Sequence, residues 1–471
     1  MTLIQERFSL HIEDIHKALH SALSRGGDFA EAYLEYTQTQ SIDMEENIIK
    51  DTSEAISRGI GLRVLKGDQT GYGYSNTLTS KNVMKAAMTA ANIAAESSTT
   101  TASTPKPRDY KHDYYSVVKP AHTTELESKL ALVKKAYKAA EHFDPKIIRV
   151  KVSLMDSIQH ITLLNSDGLL ISDERPMVKL VCLAIAEKGS LREAGFAGGG
   201  GRVGLEYFID TLSPQKIGED AAKEAIDLLN ALPSPAGEMP VILSPGHSGV
   251  LIHEAVGHLL EADFIRKKTS VFWNKLGKKV AGEQVCIHDD PTIGGYRGSY
   301  NVDDEGTIPQ KTTLIRDGKL VGLLQDRLSA KLLEMPLTGH GRRQNYSCIP
   351  IPRMSNTYID RGKYAPEEII RSVKKGFYAH RFQGGQVEDS GKFTFTVSSG
   401  YLIEEGKLTV PVKQTTLIGT NIDILNQIEM VGSDLRFGPQ TGTCGKEGQG
   451  APVTDGCPTI KIARMTVGGI K

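Results

Sequence analysis

Helical spacing of the apolar positions marks residues 8–22, 81–96, 124–143 and 213–232. After the first and the third of these segments the pattern changes to β-favouring runs that Gly and Asp turns interrupt, as in "SRGIGLRVLKGDQTGYGYS" and "ITLLNSDGLLISDERPMVKL". The pattern therefore predicts the order helix, strand meander, helix twice in succession. The two segments share too little identity to establish a duplication.

Two turn-rich stretches suggest domain boundaries. The first, "SSTTTASTPKPRDYKHD", has almost no apolar residue, and the second is "ALPSPAGEMP". The sequence thus predicts three domains, over residues 1–105, 106–235 and 236–471, in a chain of 471 residues that is long enough for them. We expect the first two to be mixed helix and antiparallel sheet.

The last predicted domain has a different pattern. It opens with the strand "PVILSPG", and a helix follows from about residue 249 to 267 with Ser248 as its N-cap. Beyond the helix come hairpins with Asp-Gly or Glu-Gly turns, such as "LIRDGKLVGLL" and "GYLIEEGKLTV". We expect an α+β fold whose C-terminal domain is mostly β around one helix.

Composition and charge exclude several classes of protein. Hydrophobic residues make up 39% of the chain and charged residues 24%, as in a globular protein. Lys plus Arg and Asp plus Glu both number 56, so no net charge favours direct binding to nucleic acid or anionic lipid. No apolar run is long enough for a membrane helix, the start lacks the apolar core of a signal peptide, and the five cysteines are an odd, scattered set. These features predict a cytoplasmic protein outside the membrane.

The segment "LIHEAVGHLL" holds the strongest candidate chemistry, in His253, Glu254 and His258. Five helical steps separate two side chains by roughly 140°, against roughly 40° for four steps, so a regular α-helix would direct the two imidazoles apart. A π-bulge would bring them together, and Gly257 resists such a distortion least. The alternative is that both histidines are satisfied core or rim residues. Shared metal binding therefore predicts a helix that departs from α geometry near Gly257.

Two imidazoles and an adjacent carboxylate are groups that a zinc hydrolase uses, with Glu254 as the base for water. A catalytic zinc ion needs a third protein ligand. Cys444 in "QTGTCGKEGQGAP" is one candidate, because the glycines around it allow close approach of the backbone, although it is equally a small core residue. The other candidates are Cys457, Glu261, Asp263 and His247. From the residues alone the prediction stops at a metal hydrolase.

Several segments together resemble the TldD/PmbA family of metalloproteases, and its TldD branch in particular. They are "HEAVGH" with "LEADF", "GGQVEDSGKFTFTVSSGYLIEEGKL", "CGKEGQGAPVTDGCPTIKIARMTVGG" and much of residues 22–75. The resemblance implies a zinc peptidase whose ion is bound by His253, His258 and Cys444 and whose base is Glu254. It also implies a PmbA/TldE-like partner subunit in a heterodimer, or a homodimer, that admits unfolded peptides to an internal cavity. The family has been linked to DNA gyrase, but direct nucleic-acid binding is not implied.

Substrate recognition is less defined by the sequence. Strand addition to an exposed edge of the C-terminal sheet would hold an unfolded peptide without demanding a particular sequence. Arg342 and Arg343 could clamp a peptide carboxylate, or could equally be surface residues of a solvated turn. The rival functions are a non-catalytic, metal-stabilised scaffold and a modulator subunit of a hetero-oligomer.

Overall fold

Strands of up to 20 residues dominate the first half of the chain. The computed structural model describes residues 3–92, 101–388 and 390–468. One sheet comprises β1 (Phe29–Glu45), β2 (Ile48–Lys66), β3 (Gln69–Ser75), β4 (Lys106–Pro107), β5 (Ile147–Asn165), β6 (Leu169–Lys188) and β7 (Leu191–Gly201). Its order is β3-β2-β1-β5-β6-β4, and β7 also pairs with β6. All these pairs are antiparallel except β4 with β6.

The pair of β1 with β5 joins segments on either side of residue 105 into one sheet, in a register that runs from Glu31 opposite Asn165 to Glu45 opposite Lys151. A domain division at residue 105 stays a prediction, because the shared ladder itself marks no break there. The predicted boundary stretch lies partly outside the described residues, since 93–100 are not among them.

Helices cover one face of this sheet. They are α1 (Leu3–Phe8), α2 (Ile12–Leu23), α3 (Ser80–Ala91), α4 (Leu126–Glu141), α5 (Tyr207–Asp210) and α6 (Pro214–Leu229). Helices α2 and α3 pack on Ala30, Ala32 and Leu34, whereas α4 and α6 pack on Ile42 and Met44 further along the same strand face. The predicted helix over 8–22 is interrupted, because Ser9 has a φ of 55°, which ends α1 before α2 begins.

The opposite face of the sheet packs against the C-terminal half of the chain. Tyr33, Ile161 and Leu163 share a buried cluster with Val302. Beside it lies a network of buried ion pairs, which join Arg63 to Glu31 (2.9 Å) and Glu305 (2.6 Å), Arg343 to Glu31 (2.6 Å), and Arg175 to Asp304 (2.6 Å). Because each charge has an opposite partner, the network attaches the sheet to the C-terminal half without an unpaired buried ion.

The C-terminal half is mostly β, as predicted. The strands of its main sheet are β8 (Gly237–Leu243), β15 (Lys375–Val387), β16 (Lys392–Glu404), β17 (Lys407–Val412), β18 (Thr415–Thr420), β19 (Ile428–Val431) and β24 (Ile460–Gly468). This sheet closes on itself, because β15 pairs with both β8 and β16 in the order β15-β8-β24-β18-β16-β17.

The remaining strands are β9 (Ile287–Asp289), β10 (Thr312–Arg316), β11 (Lys319–Leu320), β12 (Gly341–Arg342), β13 (Ile351–Pro352), β14 (Asn356–Ile359), β20 (Arg436–Phe437), β21 (Thr443–Lys446), β22 (Gln449–Pro452) and β23 (Thr454–Cys457). Six of them form a second sheet in the order β11-β10-β9-β14-β23-β20, and β12 with β13 and β21 with β22 form short ribbons. The helices are α7 (Gly249–Ile252), α8 (Ala262–Arg266), α9 (Arg327–Leu332), α10 (Pro366–Arg371) and α11 (Asn421–Gln427). The predicted α+β fold class is confirmed. Within the described ranges no helix has the length and apolar character to cross a membrane.

Candidate metal centre

The helix that follows β8 departs from α geometry where the sequence predicts it. After α7, residues His253–Gly257 form a π-turn, in which the N–H of His258 donates to the carbonyl of His253 five residues earlier. Residues His258–Leu260 then form a 3-10 turn before α8. The prediction of one helix over 249–267 is thus wrong, because four short helical turns of different types replace it. The prediction of a bulge near Gly257 is confirmed.

Packing favours Gly257 at the bulge. A Cβ atom at this position would lie 1.9 Å from the sulfur of Met354, so a larger residue would require the buried Met354 side chain to move. The carbonyl of Ala255, within the π-turn, accepts a hydrogen bond from the side chain of Asn421 on α11. The bulge is therefore supported by long-range contacts on two sides.

The bulge brings both imidazoles toward one thiol. The rings of His253 and His258 lie 5.2 Å apart and nearly perpendicular, at 87°. Cys444 Sγ lies 3.2 Å from His253 Nε2 and 3.2 Å from His258 Nε2. One possible ligand atom from each of the three residues lies within 4.8 Å of the others. Three donors around one point are an arrangement that can hold a metal ion.

Arg353 fixes the position of Cys444. The thiol lies on β21, and the guanidinium of Arg353 donates to the carbonyls of Cys444 (2.6 Å) and Gln449 (3.1 Å) on the two strands of the ribbon. Arg353 Nε also lies 3.9 Å from Glu261 Oε1, so the same buried cation approaches both the ribbon and the helical segment. It thereby links the two elements that supply the cluster.

A carboxylate lies behind each imidazole. Glu261 Oε2 is hydrogen-bonded to His258 Nδ1 at 3.1 Å, whereas Asp455 Oδ1 lies 2.8 Å from His253 Nδ1 as a close charge contact without hydrogen-bond alignment. These contacts leave the Nε2 atom of each ring directed to Cys444, which is the arrangement that orients histidine ligands at metal sites. The sequence did not indicate a role for Asp455, which lies two residues before the candidate Cys457. Only the fold places Asp455 beside His253.

Glu254 lies at the mouth of the cluster. Its Oε2 is 3.8 Å from His258 Nε2, and its side chain is 23% exposed. It borders a cleft of about 140 Å³ whose walls include His253, Cys444 and Asp455. Burial raises the pKa of Glu254, although the two histidines oppose the shift. A carboxyl group with a raised pKa can both accept and return a proton near neutral pH.

The electrostatics of the cluster favour a thiolate. Burial would raise the pKa of Cys444, but His253 and His258 outweigh it and hold the pKa well below its usual range. For His258 burial acts in the opposite direction and would lower the pKa, but Glu261 and Cys444 raise it to about 10. These directions, with the raised pKa of His253 beside Asp455 and Cys444, favour protonated imidazoles opposite a thiolate, and a metal ion would replace those protons.

The alternative ligands take other positions. Cys457 donates its Sγ–H to the carbonyl of Pro458. Glu261 and Asp263 pair with Lys446, at 3.0 Å and 2.7 Å. Among the described residues, the group that could hold an ion comprises His253, His258 and Cys444, without these alternatives or His247.

The two arginines considered for a carboxylate clamp are also occupied. Arg343 belongs to the buried ion network, and Arg342 donates to the carbonyls of Met354 and Pro452. Both side chains are buried, so they form neither a clamp nor a solvated turn. Sequence could not reveal this, because their partners lie far away along the chain.

Comparison with known proteins gives consistent similarities. Three family descriptions match: PmbA/TldA metallopeptidase domain 1 over residues 30–94, the central domain over 119–229 and the C-terminal domain over 236–469. A Metalloprotease TldD homolog of Haemophilus influenzae is 39% identical over 452 residues, which cover 94% of each chain. A Zinc metalloprotease TldD homolog of Saccharolobus solfataricus is 27% identical over 454 residues, covering 96% of this chain and 99% of the other.

A solved structure has the same fold. The crystal structure of TldE from Thermococcus kodakarensis superposes with a TM-score of 0.76 at 22% identity, over 97% of this chain and 100% of the other. At this identity the likeness concerns the fold alone.

Proposed function

The chain belongs to the PmbA/TldD family of metallopeptidases, and from this premise we propose that it is a zinc-dependent peptidase with His253, His258 and Cys444 as the protein ligands of the ion. The observation that carries the proposal is the convergence of these three side chains on one point, with Glu254 beside them. We also propose the domain limits 1–105, 106–235 and 236–471.

The donor set fits zinc. Two imidazole nitrogens and one thiolate are borderline and soft ligands, and three protein ligands are the number typical of catalytic zinc sites. The carboxylates of Asp455 and Glu261 behind the two rings support the same assignment, because they orient each Nε2 toward the sulfur. The word zinc in the name of the Saccharolobus relative agrees with this choice.

A zinc ion bound there would supply a Lewis acid that polarises a carbonyl group and makes water more acidic. Glu254 takes the proton of the attacking water on its carboxylate and later delivers it to the departing amine. Its partial exposure to the cleft gives it access to both water and substrate. Asp455 and Glu261 hold the imidazoles in place and do not take part in proton transfer.

Unfolded peptides are the proposed substrates. The outer part of β15, over residues 381–387, pairs with β16 on one side, while β8 pairs only with Phe377–Ala379 on the other. In the described part of the chain no strand covers this second side, where the N–H of Phe382 donates to His247. Beyond Phe382 a peptide in extended conformation could add to this edge through main-chain hydrogen bonds. The cleft is small, and it suits an extended chain better than a folded surface.

We propose a PmbA/TldE-like subunit as partner in a heterodimer, with a homodimer as the alternative, and a cytoplasmic location without direct nucleic-acid binding. The shared fold with the Thermococcus TldE supports an assembly of two similar subunits. A non-catalytic scaffold with structural metal is the second candidate function. The carboxylate of Glu254 argues against a scaffold. This carboxylate borders the cleft and makes no hydrogen bond to a described residue, so it is free to act on water.

The test is zinc analysis together with digestion of an unstructured peptide, on the chain alone and mixed with a PmbA-like subunit. The proposal predicts one zinc per chain and cleavage that a chelator abolishes. Cleavage only in the mixture would establish an obligate pair. Bound zinc without cleavage in either sample would favour the scaffold.

A further inference from the structure

His247 borders the catalytic cleft without belonging to the metal cluster. It lies between β8 and α7, and the cleft that it lines also exposes His253, Glu254 and Cys444. The group of possible ligand atoms does not include it. The proposed catalytic steps do not use this histidine.

A backbone contact defines which ring nitrogen of His247 carries hydrogen. The N–H of Phe382 on β15 donates to His247 Nδ1 at 3.2 Å. Because Nδ1 accepts this bond, it has no hydrogen, and the neutral ring must carry its hydrogen on Nε2. Nε2 has no hydrogen-bond partner among the described residues, and the side chain is only half-buried. The ring therefore offers one N–H donor that the protein itself does not use.

The surroundings of His247 favour the neutral form of the ring. Burial lowers the pKa of His247, and Arg381 adds to this effect, while Asp455 opposes it. Protonation would also cost the hydrogen bond from Phe382, because Nδ1 would then carry hydrogen. A neutral imidazole in a small cleft can donate to an oxygen that becomes negative without introducing a permanent charge.

We propose that His247 Nε2–H donates a hydrogen bond to the carbonyl oxygen of the scissile peptide bond as negative charge develops on it. This inference rests on the proposed peptidase function. When water attacks, a bond forms between its oxygen and the carbonyl carbon, and the carbonyl π pair moves onto the oxygen. The proton of the water goes to Glu254, and His247 neither gains nor loses one. The donor therefore stabilises charge that is larger in the transition state than in the bound substrate.

Phe382 connects this donor to the proposed peptide-binding edge. The residue that fixes the ring of His247 lies at the start of the part of β15 that β8 leaves unpaired. A peptide added along that edge would thus pass the residue that holds the donor. The backbone of β15 would thus both hold the tautomer of His247 and provide the edge along which the peptide lies.

The test compares His247→Leu with His247→Gln in the zinc-loaded chain, with its partner subunit if turnover requires it. Leu removes the donor, whereas the amide of Gln can place an N–H near the same point. We expect His247→Leu to lower kcat by ~10² to 10³, the effect of losing one such donor, with KM changed little and zinc content unchanged. His247→Gln should recover most of the loss. His380→Leu is the matched control, because His380 lines a neighbouring cavity and not this cleft.

Binding of two probes separates this role from a structural one. A peptide with a phosphinic group in place of the scissile amide mimics the tetrahedral form, and the product peptide does not. His247→Leu should weaken the first probe by about the same factor as kcat and leave the second unchanged. Equal weakening of both probes, loss of zinc, or a kcat within twofold of the parent would each overturn the inference. If the parent neither cleaves peptide nor binds the phosphinic probe, the proposed function itself fails and the inference with it.

Discussion

Two buried polar clusters of this chain differ in how their charges are compensated. In the ion network, Arg63, Arg343 and Arg175 each pair with carboxylates, so positive and negative side chains balance. In the cluster of His253, His258 and Cys444, three electron-pair donors face one another, and only protons or a metal ion can supply the positive charge. The comparison supports a stabilising role for the first cluster and the proposed cation-binding role for the second.

The largest expected effect is on the metal cluster. Cys444→Ser should lose zinc, because a hydroxyl is a poor replacement for a thiolate ligand, and peptide cleavage should fall to background with it. Metal analysis and peptide digestion measure the two losses. Cys457→Ser is the matched control, since its thiol contacts Pro458 and lies outside the cluster. If Cys457→Ser lost zinc and Cys444→Ser kept it, the assigned ligand would be wrong.

Breaking the ion network should lower the stability of the fold and leave the zinc content unchanged. Arg63→Met leaves Glu31 and Glu305 buried with one cation fewer, which should lower the free energy of unfolding by about 3–5 kcal/mol. Denaturant unfolding measures the loss. Lys50→Met, which breaks an exposed pair with Glu46, should change little. Loss of zinc from folded Arg63→Met would show that the two clusters are not independent.

A smaller effect on zinc affinity is expected when a carboxylate behind the imidazoles is removed. Asp455→Asn removes the carboxylate beside His253 Nδ1 and should weaken zinc binding by about 10- to 100-fold, the usual cost of losing such a support. Competition with a chelator measures the affinity. An unchanged affinity would mean that Asp455 does not orient the ring.

The smallest effect concerns Glu261 in the zinc-free protein. Burial alone would raise the pKa of Glu261, but Lys446 and His258 lower it to about 2, below its unfolded value of 4.5. The stability that this carboxylate contributes is therefore present above pH 4.5 and is lost as pH falls toward 2. Glu261→Gln should show a shallower decline of unfolding free energy across that window. Parallel pH curves for the two proteins would contradict the assigned ion pairing.

Local spacing was enough to predict the unusual helix but not its supports. The five-residue interval and Gly257 predict the π-turn, because no regular helix brings His253 and His258 together. The contacts of Met354 and Asn421 that hold the bulge come from distant segments, so no local pattern reveals them. The same limit applies to Arg343, whose partner Glu31 lies 312 positions away. Hairpins such as Asp317-Gly318 were predictable, since turn residues act locally.

The pair formed by β1 and β5 gives a similar lesson at the level of domains. A polar stretch near residue 105 resembles a linker, yet strands from both sides of it share one ladder. Composition indicates where a chain can turn, but it does not indicate which strands pair with each other. Long-range pairing decides that, through the burial of one face of each strand.

The most direct test of the central claim is zinc content and turnover of Glu254→Gln, because the account separates the base from the ligands. The variant keeps the shape of the side chain but has no carboxylate to accept the proton of water. We predict that it retains one zinc per chain and binds unfolded peptide, while turnover falls by ~10² or more. A Glu254→Gln protein that binds zinc and cleaves peptide at the parent rate would contradict the account.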